Sequence, residues 1–270
     1  MQTKIKTSET PARRARGLDR AFDILDYLRE RKSPARPNQI AVGISAPRST
    51  VYELISALID AGLLEQTDDE GRVFLGRKLY FLGLAYEANF DLTRECRAYL
   101  DKLAVETRET AQLCMLDGNK YTVAMMREGV RPFHISSNVG EPVPVPWTAS
   151  GRLLVSHMSD EEILEFIPAA DFVLPTGATL NPRTFIAEVR QAAKAGFFSF
   201  DTLADNFTRC FAAPVRDHAG RCVATLCLIA PRKDAKQHFE QYKAALLDAA
   251  TDLSTKLTAR PLPSSRAISF

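Results

Sequence analysis

The order of secondary-structure patterns in residues 18–75 is the feature that most restricts the fold. Apolar residues recur at helical spacing over 18–31 and predict a first amphipathic helix. That apolar set is Leu18, Ala21, Phe22, Leu25 and Leu28. Prolines then interrupt the pattern, and a short second helix is predicted over 38–42, with Ile40 and Ala41 facing inward and Gly43 as the turn.

A third helix follows the glycine turn. Ser45 is predicted as its N-cap, because serine side chains accept hydrogen bonds from first-turn amides, and Pro47 is tolerated in that turn. One apolar face repeats with helical spacing at Val51, Leu54, Ile55 and Leu58. The helix is expected to end near Gly62, a residue type favoured just beyond helix C-termini.

Two short strand-like runs, 63–67 and 72–75, come next and are joined by the turn-forming residues 68–71. Helix, helix, helix and hairpin in this order predict a winged helix-turn-helix, with the hairpin as the wing. This fold is typical of DNA-binding domains. Helix-turn-helix units also serve as protein-interaction folds, so that alternative stays open.

The outward face of the third helix supplies the candidate DNA contacts, since residues near the start of a recognition helix reach base edges. The Arg48 guanidinium can donate two hydrogen bonds to one guanine. Ser49 and Thr50, with the helix N-terminal amides, suit phosphate. Tyr52 is suited to phosphate or a thymine methyl group, and Glu53 to a cytosine amino group or a nearby arginine. For each of them the alternative is plain solvent exposure.

Charge is uneven along the chain. Residues 1–78 carry 14 Lys/Arg against 11 Asp/Glu, whereas residues 79–270 carry 21 against 22. The basic segment 1–16 is expected to be a disordered arm that either contacts phosphates or is simply solvated. Arg72, on the predicted wing, is a further candidate for phosphate or the minor groove.

A helix predicted from 77 to 90 is apolar nearly all round, so it should be buried on more than one side. A second copy of the chain is the natural partner, which predicts a homodimer suited to a palindromic DNA site. Burial against the second domain is the alternative.

The remaining sequence predicts an α+β fold, in which helices surround a mostly antiparallel sheet. Predicted strands are 112–116, 121–126, 132–136, 197–203, 209–216 and 222–229. Predicted helices are one marked by Cys96, Tyr99, Leu100 and Leu103, and then 148–157, 160–167, 183–195 and 234–258. No glycine-rich nucleotide-binding motif interrupts these elements.

Several function classes are disfavoured by composition. There is no run of ~18 apolar residues, so no membrane span is predicted, and the polar start does not resemble a secretory signal. The five cysteines are scattered, without metal-site spacing. They indicate free thiols in a reducing cytoplasm, and no metal or cofactor is predicted.

Local motifs together resemble the IclR family of regulators. The helix-turn-helix segment 43–52 (GISAPRSTVY) is similar to that family's recognition region. Segments 139–144 (VGEPVP) and 148–152 (TASGR) resemble its sensor-domain signature. Segments 196–201 (GFFSFD) and 209–215 (RCFAAPV) resemble its closing segment. The resemblance covers about residues 17–258 and implies a sequence-specific transcriptional regulator of double-stranded DNA rather than an enzyme.

The resemblance also implies a GAF-like sensor domain, a homodimer or tetramer, and a small-molecule effector that is an organic or aromatic acid. The expected domains are 1–16, 17–76, 77–91 (linker helix), 92–258 (sensor) and 259–270 (tail). The effector pocket implied by the motifs is bordered by Ala149, Ser150, Asp201, Thr208, Cys210, Cys227 and Ile229. Its apolar walls are expected from Met115, Met125, Trp147 and Phe211.

Specific residues at these positions refine the expectations. Backbone amides at the start of the helix after Thr148 can hold a carboxylate, and Asp201 can accept from a ligand hydroxyl or amine. Glu53 stands where many family members carry Arg, which changes the preferred DNA site. Cys227 and Ile229 replace the hydroxyl side chains of some members that bind very small acids, so a ligand larger or more apolar than glyoxylate or pyruvate is expected.

Two alternatives use Cys210. A redox sensor would use a thiolate stabilised by Arg209. A cysteine-dependent enzyme would need His134 or His157 as base and Asp201 as orienting group, all converging on Cys210.

Overall fold

A computed structural model describes residues 11–89, 91–130, 138–203 and 207–259. The chain divides into two compact units, residues 1–89 and 90–270. The predicted strand 132–136 and His134 lie outside the described residues.

The first unit contains the predicted order of elements. It consists of α1 (Pro11–Arg31), α2 (Pro37–Gly43), α3 (Arg48–Asp60), β1 (Leu64–Gln66), β2 (Val73–Leu75) and α4 (Arg77–Asn89). The strands pair antiparallel with Leu64 opposite Leu75, which makes the hairpin 64–75 a wing. Helix α1 begins at Pro11, earlier than the predicted residue 18.

The core of this unit confirms the inward faces of α2 and α3, because Ile40, Val51 and Ile55 are buried together. In α1 the buried residues are Ile24 and Leu28, whereas Leu18 and Phe22 are exposed. Leu18 and Phe22 of the predicted apolar set are therefore not part of this core. Helix α1 carries two apolar stripes, and periodicity alone does not tell which stripe the core covers.

The start of α3 also differs from expectation. Ser45 is not the N-cap, because its φ of 51° puts it in the left-handed region within the turn. Pro47 occupies the N-cap position, and no side chain caps the helix. At the other end the prediction is confirmed, since Gly62 follows α3 with a φ of 74°.

The second unit is built on a six-stranded antiparallel sheet in the order β5-β4-β3-β8-β7-β6. Its strands are β3 (Thr110–Asp117), β4 (Lys120–Arg127), β5 (Val143–Pro144), β6 (Phe198–Asp201), β7 (Thr208–Arg216) and β8 (Cys222–Pro231). Its helices are α5 (Asp91–Thr107), α6 (Ala149–Leu154), α7 (Asp160–Phe166), α8 (Pro182–Ala195), α9 (Arg232–Gln237) and α10 (Phe239–Ala259). The predicted α+β architecture is confirmed.

The two faces of this sheet have different coverings. Alternate residues of β7 and β8, such as Phe211 and Leu226, pack with α5 and α10 into one core. The residues between them, such as Ala212 and Cys227, pack with α6, α7 and α8 into another. Because side chains alternate across a strand, neighbouring residues serve different cores.

Two helix predictions need correction. The helix predicted over 148–157 ends at Leu154, after which the Ser156 hydroxyl donates to the Leu153 carbonyl at 2.6 Å. The helix predicted over 234–258 is two helices that meet at His238. No Gly or Pro marks this one-residue break, so the apolar periodicity continues across it.

Candidate functional sites

Helix α3 presents the predicted DNA-reading residues to solvent. Arg48, Ser49, Tyr52 and Glu53 are exposed, and Thr50 is half-buried at the start of the helix. In the described part of the chain, neither Arg48 nor Glu53 has an oppositely charged side chain within 4 Å. Glu53 therefore does not pair with a nearby arginine here, and the Arg48 fork is available to another molecule.

The wing carries Arg72 in a different electrostatic setting. Its guanidinium lies 2.5 Å from Asp68 and 3.5 Å from Glu70, and Glu70 also pairs with Arg36 at 2.7 Å. Hydrogen bonds from the Arg72 backbone and side chain hold the pKa of Asp68 below its ordinary value. Arg72 is exposed, as a phosphate contact requires, but two carboxylates already balance its charge.

A cavity of about 360 Å³ lies on the α6 side of the sheet in the second unit. We call it the sheet cavity. Its wall includes residues of β3, β4, β7 and β8, the segment around α6, and two loop segments. The lining residues are Gln112, Tyr121, Val123, Asn138, Glu141, Val143, Trp147, Thr148, Ala149, Ser150, Leu174, Pro175, Thr202, Leu203, Thr208, Cys210, Cys227 and Ile229.

One end of the sheet cavity is formed by thiol and hydroxyl groups. The Cys114 Sγ lies 2.9 Å from the Tyr121 hydroxyl. Burial raises the pKa of both groups well above their ordinary values. For Cys227, contact with Cys114 lowers the pKa, but contact with Cys210 and burial raise it more, so the net shift is upward. These thiols therefore stay protonated, which makes them weak hydrogen-bonding groups and poor nucleophiles.

Ser150 adds an orphaned polar group at this end. It is 1% exposed, and no described group makes a hydrogen bond of ordinary geometry with its hydroxyl. The hydroxyl is nevertheless close enough to Cys114 and Cys227 to favour their thiolate forms slightly. A buried polar group without a partner is destabilising, and such groups are uncommon unless something else satisfies them. The Ser150 hydroxyl thus marks a position where a ligand can supply a hydrogen bond.

Arg152 fastens the segment before α6. It is 4% exposed, and its Nη1 donates to the carbonyl oxygens of Pro146 at 2.8 Å and Thr148 at 2.7 Å. Burial lowers its pKa, and the pairing with Glu188 of α8 opposes that shift. The rings of Phe185, Phe198 and Phe200 surround its guanidinium at 4.9, 5.2 and 4.7 Å from their centroids. Residues 145–148, which directly precede α6, are thereby held against α8 and β6.

A second anchor acts at Trp147. Its indole Nε1 donates to the Asp171 carbonyl at 2.7 Å, and the Asp171 carboxylate accepts from Lys120 Nζ at 2.6 Å. Within α6 itself, Thr148 Oγ1 caps the Gly151 amide at 2.9 Å. The Gly151 amide is therefore already hydrogen-bonded within the protein, and α6 has only six residues. The start of α6 thus offers fewer free amides to a ligand carboxylate than expected.

Seven of the eleven residues predicted for the effector pocket line the sheet cavity, and four do not. Met115 packs against the α5 and α10 core, as do Met125 and Phe211. Asp201 points to the opposite face of β6 and pairs with Arg209 at 3.3 Å. Strand alternation explains two of these differences, because Asp201 and Phe211 alternate with Thr202 and Cys210, which line the cavity.

Several lining residues were not predicted from the sequence, and Gln112 is the most informative of them. It is fully buried in β3, two residues before Cys114 and therefore on the same face of the strand. A polar residue inside an otherwise apolar strand was the available signal. Leu174, Pro175 and Leu203 belong to loops without such a signal.

In the described ranges, no helix is both long and apolar enough to cross a bilayer. Over the same residues, no group of three or more His, Cys, Asp or Glu side chains is placed to hold a metal ion.

Two family models match the chain. The IclR helix-turn-helix domain matches residues 17–68, and the bacterial transcriptional regulator IclR C-terminal domain matches residues 84–255. Among named relatives, the transcriptional regulator XynR of Escherichia coli is 26% identical over 212 residues, covering 78% of this chain and 84% of XynR. The Pca regulon regulatory protein of Pseudomonas putida is 27% identical, covering 77% and 72%.

Solved structures share the fold. An IclR-type regulator from Silicibacter sp. has a TM-score of 0.80 at 20% identity, covering 92% of this chain and 98% of its own. An IclR homologue from Microbacterium hydrocarbonoxydans, solved in complex with 4-hydroxybenzoate, has a TM-score of 0.75 at 23% identity, covering 90% and 100%.

The matched relatives are named as regulators and repressors, so the chain is a regulator and not an enzyme. The two domain matches together span most of its length. The chain belongs to the IclR family of bacterial transcriptional regulators.

Proposed function

We propose that this regulator binds an operator through α3 and is controlled by an organic acid, preferably an aromatic one, bound in the sheet cavity. The observation that carries the effector proposal is the cavity itself, which has about 360 Å³ and mostly apolar and uncharged polar walls, with Glu141 as the charged lining residue. Ligand pockets of small-molecule sensors have this character. As a DNA-binding protein of bacterial type, it is expected to act in the cytoplasm.

The DNA side of the proposal rests on α3. Its first turn has no side-chain cap, so the amides there can donate hydrogen bonds to a phosphate oxygen of the DNA backbone. Arg48 stands exposed beside them with no competing carboxylate in the described residues, and Tyr52 lies one turn further on the same exposed face. Arg48 would read guanine, and Ser49 and Thr50 would set the register through phosphates. Glu53 would accept a hydrogen bond from a cytosine amino group.

A homodimer is proposed because α4 leaves large apolar side chains uncovered. Tyr80 is 66% and Phe81 60% exposed in the single chain, and Leu82 and Leu84 are also exposed. Exposed apolar patches of this kind mark interfaces. A second copy that covers α4 would bury them and place two α3 helices on two half-sites.

The effector class follows from the lining residues. Trp147, Val123, Val143 and Ile229 supply apolar surface, and Cys227 offers only a weak donor. This lining suits a ring better than a two- or three-carbon acid. The Microbacterium homologue was solved with 4-hydroxybenzoate, which is an aromatic acid, and this relative supports the same class of effector. Binding would favour one spacing of the α3 helices over another, since an effector acts only through different affinities for two states.

The two alternatives based on Cys210 have less support. Asp201 lies on the opposite face of the sheet from Cys210, so the enzyme arrangement is not assembled. The redox-sensor alternative relies on Arg209 beside the Cys210 thiol, but the two side chains face opposite sides of β7.

Thermal unfolding of the full chain against aromatic, aliphatic and sugar acids tests the effector proposal. An acid that binds only the folded state adds about 2.7 kcal/mol at a hundredfold excess over its Kd. A shift confined to aromatic acids, and lost when Ile229 is changed to Lys, is expected. Shifts only with very small acids, or none while DNA binding is intact, would contradict it.

A further inference from the structure

Asp201 and Arg209 lie in a second cavity, on the face of β6 and β7 opposite the sheet cavity. It has about 380 Å³ and is lined by Asp201, Arg209, Arg232, Lys236 and Phe239. We call it the basic cleft. Among the described residues that line it, three positive side chains face one carboxylate, which is a formal excess of two positive charges. This excess stands out because residues 79–270 carry 21 Lys/Arg against 22 Asp/Glu.

Arg209 is held in a fixed orientation. Its Nε donates to Ser199 Oγ at 3.0 Å, and its Nη1 lies 3.3 Å from Asp201 Oδ1. The guanidinium also stacks on the Phe239 ring, 5.6 Å from the centroid. A guanidinium that is already oriented loses little conformational freedom when it binds a carboxylate or phosphate.

Arg232 and Lys236 occupy the same face of α9, because they are four residues apart. Arg232 Nε donates to the Thr208 carbonyl at 3.2 Å and lies 3.6 Å from Asp201 Oδ2. Lys236 differs from both arginines. No described carboxylate lies within 4 Å of it, so its charge is uncompensated within the part of the chain that the structure covers.

We propose that the basic cleft binds a small, multiply charged oxyanion, either a phosphorylated compound or a polycarboxylate. Two oriented arginine forks suit the paired oxygens of carboxylate and phosphate groups, and the lysine adds a point charge. A doubly negative ligand would balance the formal charge of the cleft, which a monocarboxylate would not. Phe239 provides an apolar wall beside these charges.

The basic cleft is separate from the sheet cavity but shares a strand with it. The Thr208 side chain lines the sheet cavity, and the Thr208 carbonyl accepts from Arg232 in the cleft. Cys210 and Arg209 are neighbours on β7 that face the two sites. The proposal does not depend on which effector the sheet cavity holds.

Isothermal titration calorimetry of the full chain tests the proposal that the basic cleft binds an oxyanion. Pyrophosphate and citrate are titrated separately, at constant ionic strength. At least one anion should bind saturably, and Lys236→Gln should weaken that binding by about fivefold or more. Lys236→Glu should abolish it. Lys233→Gln is the control, because Lys233 is an exposed neighbour on α9 that does not line the cleft.

The relative affinities for the two anions distinguish the two classes of ligand. Preference for pyrophosphate would identify a phosphorylated ligand, and preference for citrate a polycarboxylate. No saturable binding of either anion, or equal affinity in wild type and Lys236→Gln, would overturn the proposal. Because Lys236 is exposed, unfolding midpoints without anion should be unchanged, which separates loss of binding from loss of fold.

Discussion

Arg152 and Glu188 form an ion pair across α6 and α8, in which Nε at 2.9 Å and Nη2 at 2.7 Å donate to the same carboxylate oxygen. Arg152 is 4% exposed, whereas the Glu188 side chain is 34% exposed. The arginine thus depends on one partly solvated carboxylate for its charge balance. This asymmetry makes Glu188 the residue to change.

Glu188→Gln should destabilise the protein by roughly 2 kcal/mol, less than the ~3–5 kcal/mol of a fully buried pair, because Glu188 is already partly exposed and Arg152 keeps its hydrogen bonds to two backbone carbonyls. Denaturant unfolding measures it. Glu165→Gln, on an exposed position of α7, is the matched control and should change stability by less than about 0.5 kcal/mol. Equal effects of the two substitutions would show that the pair does not stabilise the fold.

Ser150→Ala should stabilise the ligand-free protein by about 1 kcal/mol, because it removes a buried hydroxyl without a partner. Ser156→Ala should do the opposite, since that hydroxyl donates to the Leu153 carbonyl at 2.6 Å. Unfolding midpoints compare the two variants. If Ser150 serves the effector, the ligand-induced rise in midpoint should shrink in Ser150→Ala, and an undiminished rise would exclude that role.

Arg48→Ala should weaken binding to an operator selected with the wild-type protein by about 10- to 100-fold, the loss of one bidentate guanine contact. Fluorescence anisotropy of the labelled duplex measures it. Arg183→Ala, an exposed change at the start of α8, is expected to bind normally. Full-strength binding by Arg48→Ala would remove α3 from the role of recognition helix.

Asp68→Asn should strengthen DNA binding, because it releases Arg72 from the closer of its two carboxylates. The slope of log affinity against log salt should steepen by about one, as for one additional phosphate contact. Asp69→Asn, an exposed change in the same turn, controls for the general loss of negative charge. The same slope for both variants would mean that Arg72 stays away from DNA.

The free energy of unfolding should fall as the pH rises from about 9 towards 12, in part because the Cys96 thiol ionises more easily in the unfolded chain. Burial raises the pKa of that thiol to about 12 in the folded state, from 9.0 when exposed. The folded protein therefore keeps a proton that the unfolded chain loses, so this contribution is complete below pH 9 and is lost as pH approaches the folded pKa. Cys96→Ala should show a weaker decline in unfolding free energy between pH 9 and 11 than wild type.

Much of the fold follows from local patterns. Ile40, Val51 and Ile55 form the core of the first unit, as their helical spacing predicts, and Gly62 ends α3 where a left-handed residue is needed. The hairpins β3–β4 and β7–β8 of the second unit follow from strand-like runs joined by turn residues. These signals are local, because a helix or hairpin depends on residues a few positions apart.

The sites depend on information that no local pattern contains. Gln112, Trp147, Leu174 and Cys227 are distant in sequence and meet only in the sheet cavity. Asp201 and Phe211 each lie one strand position away from a lining residue and point elsewhere.

The sequence by itself determined the order of elements, the two-part organisation and the family, because periodicity and motifs are properties of neighbouring residues. Only the tertiary structure decided which face of each strand borders the sheet cavity, the basic cleft or a core. Alternation places residues on two faces, but the helices that cover a face determine whether it is packed or open.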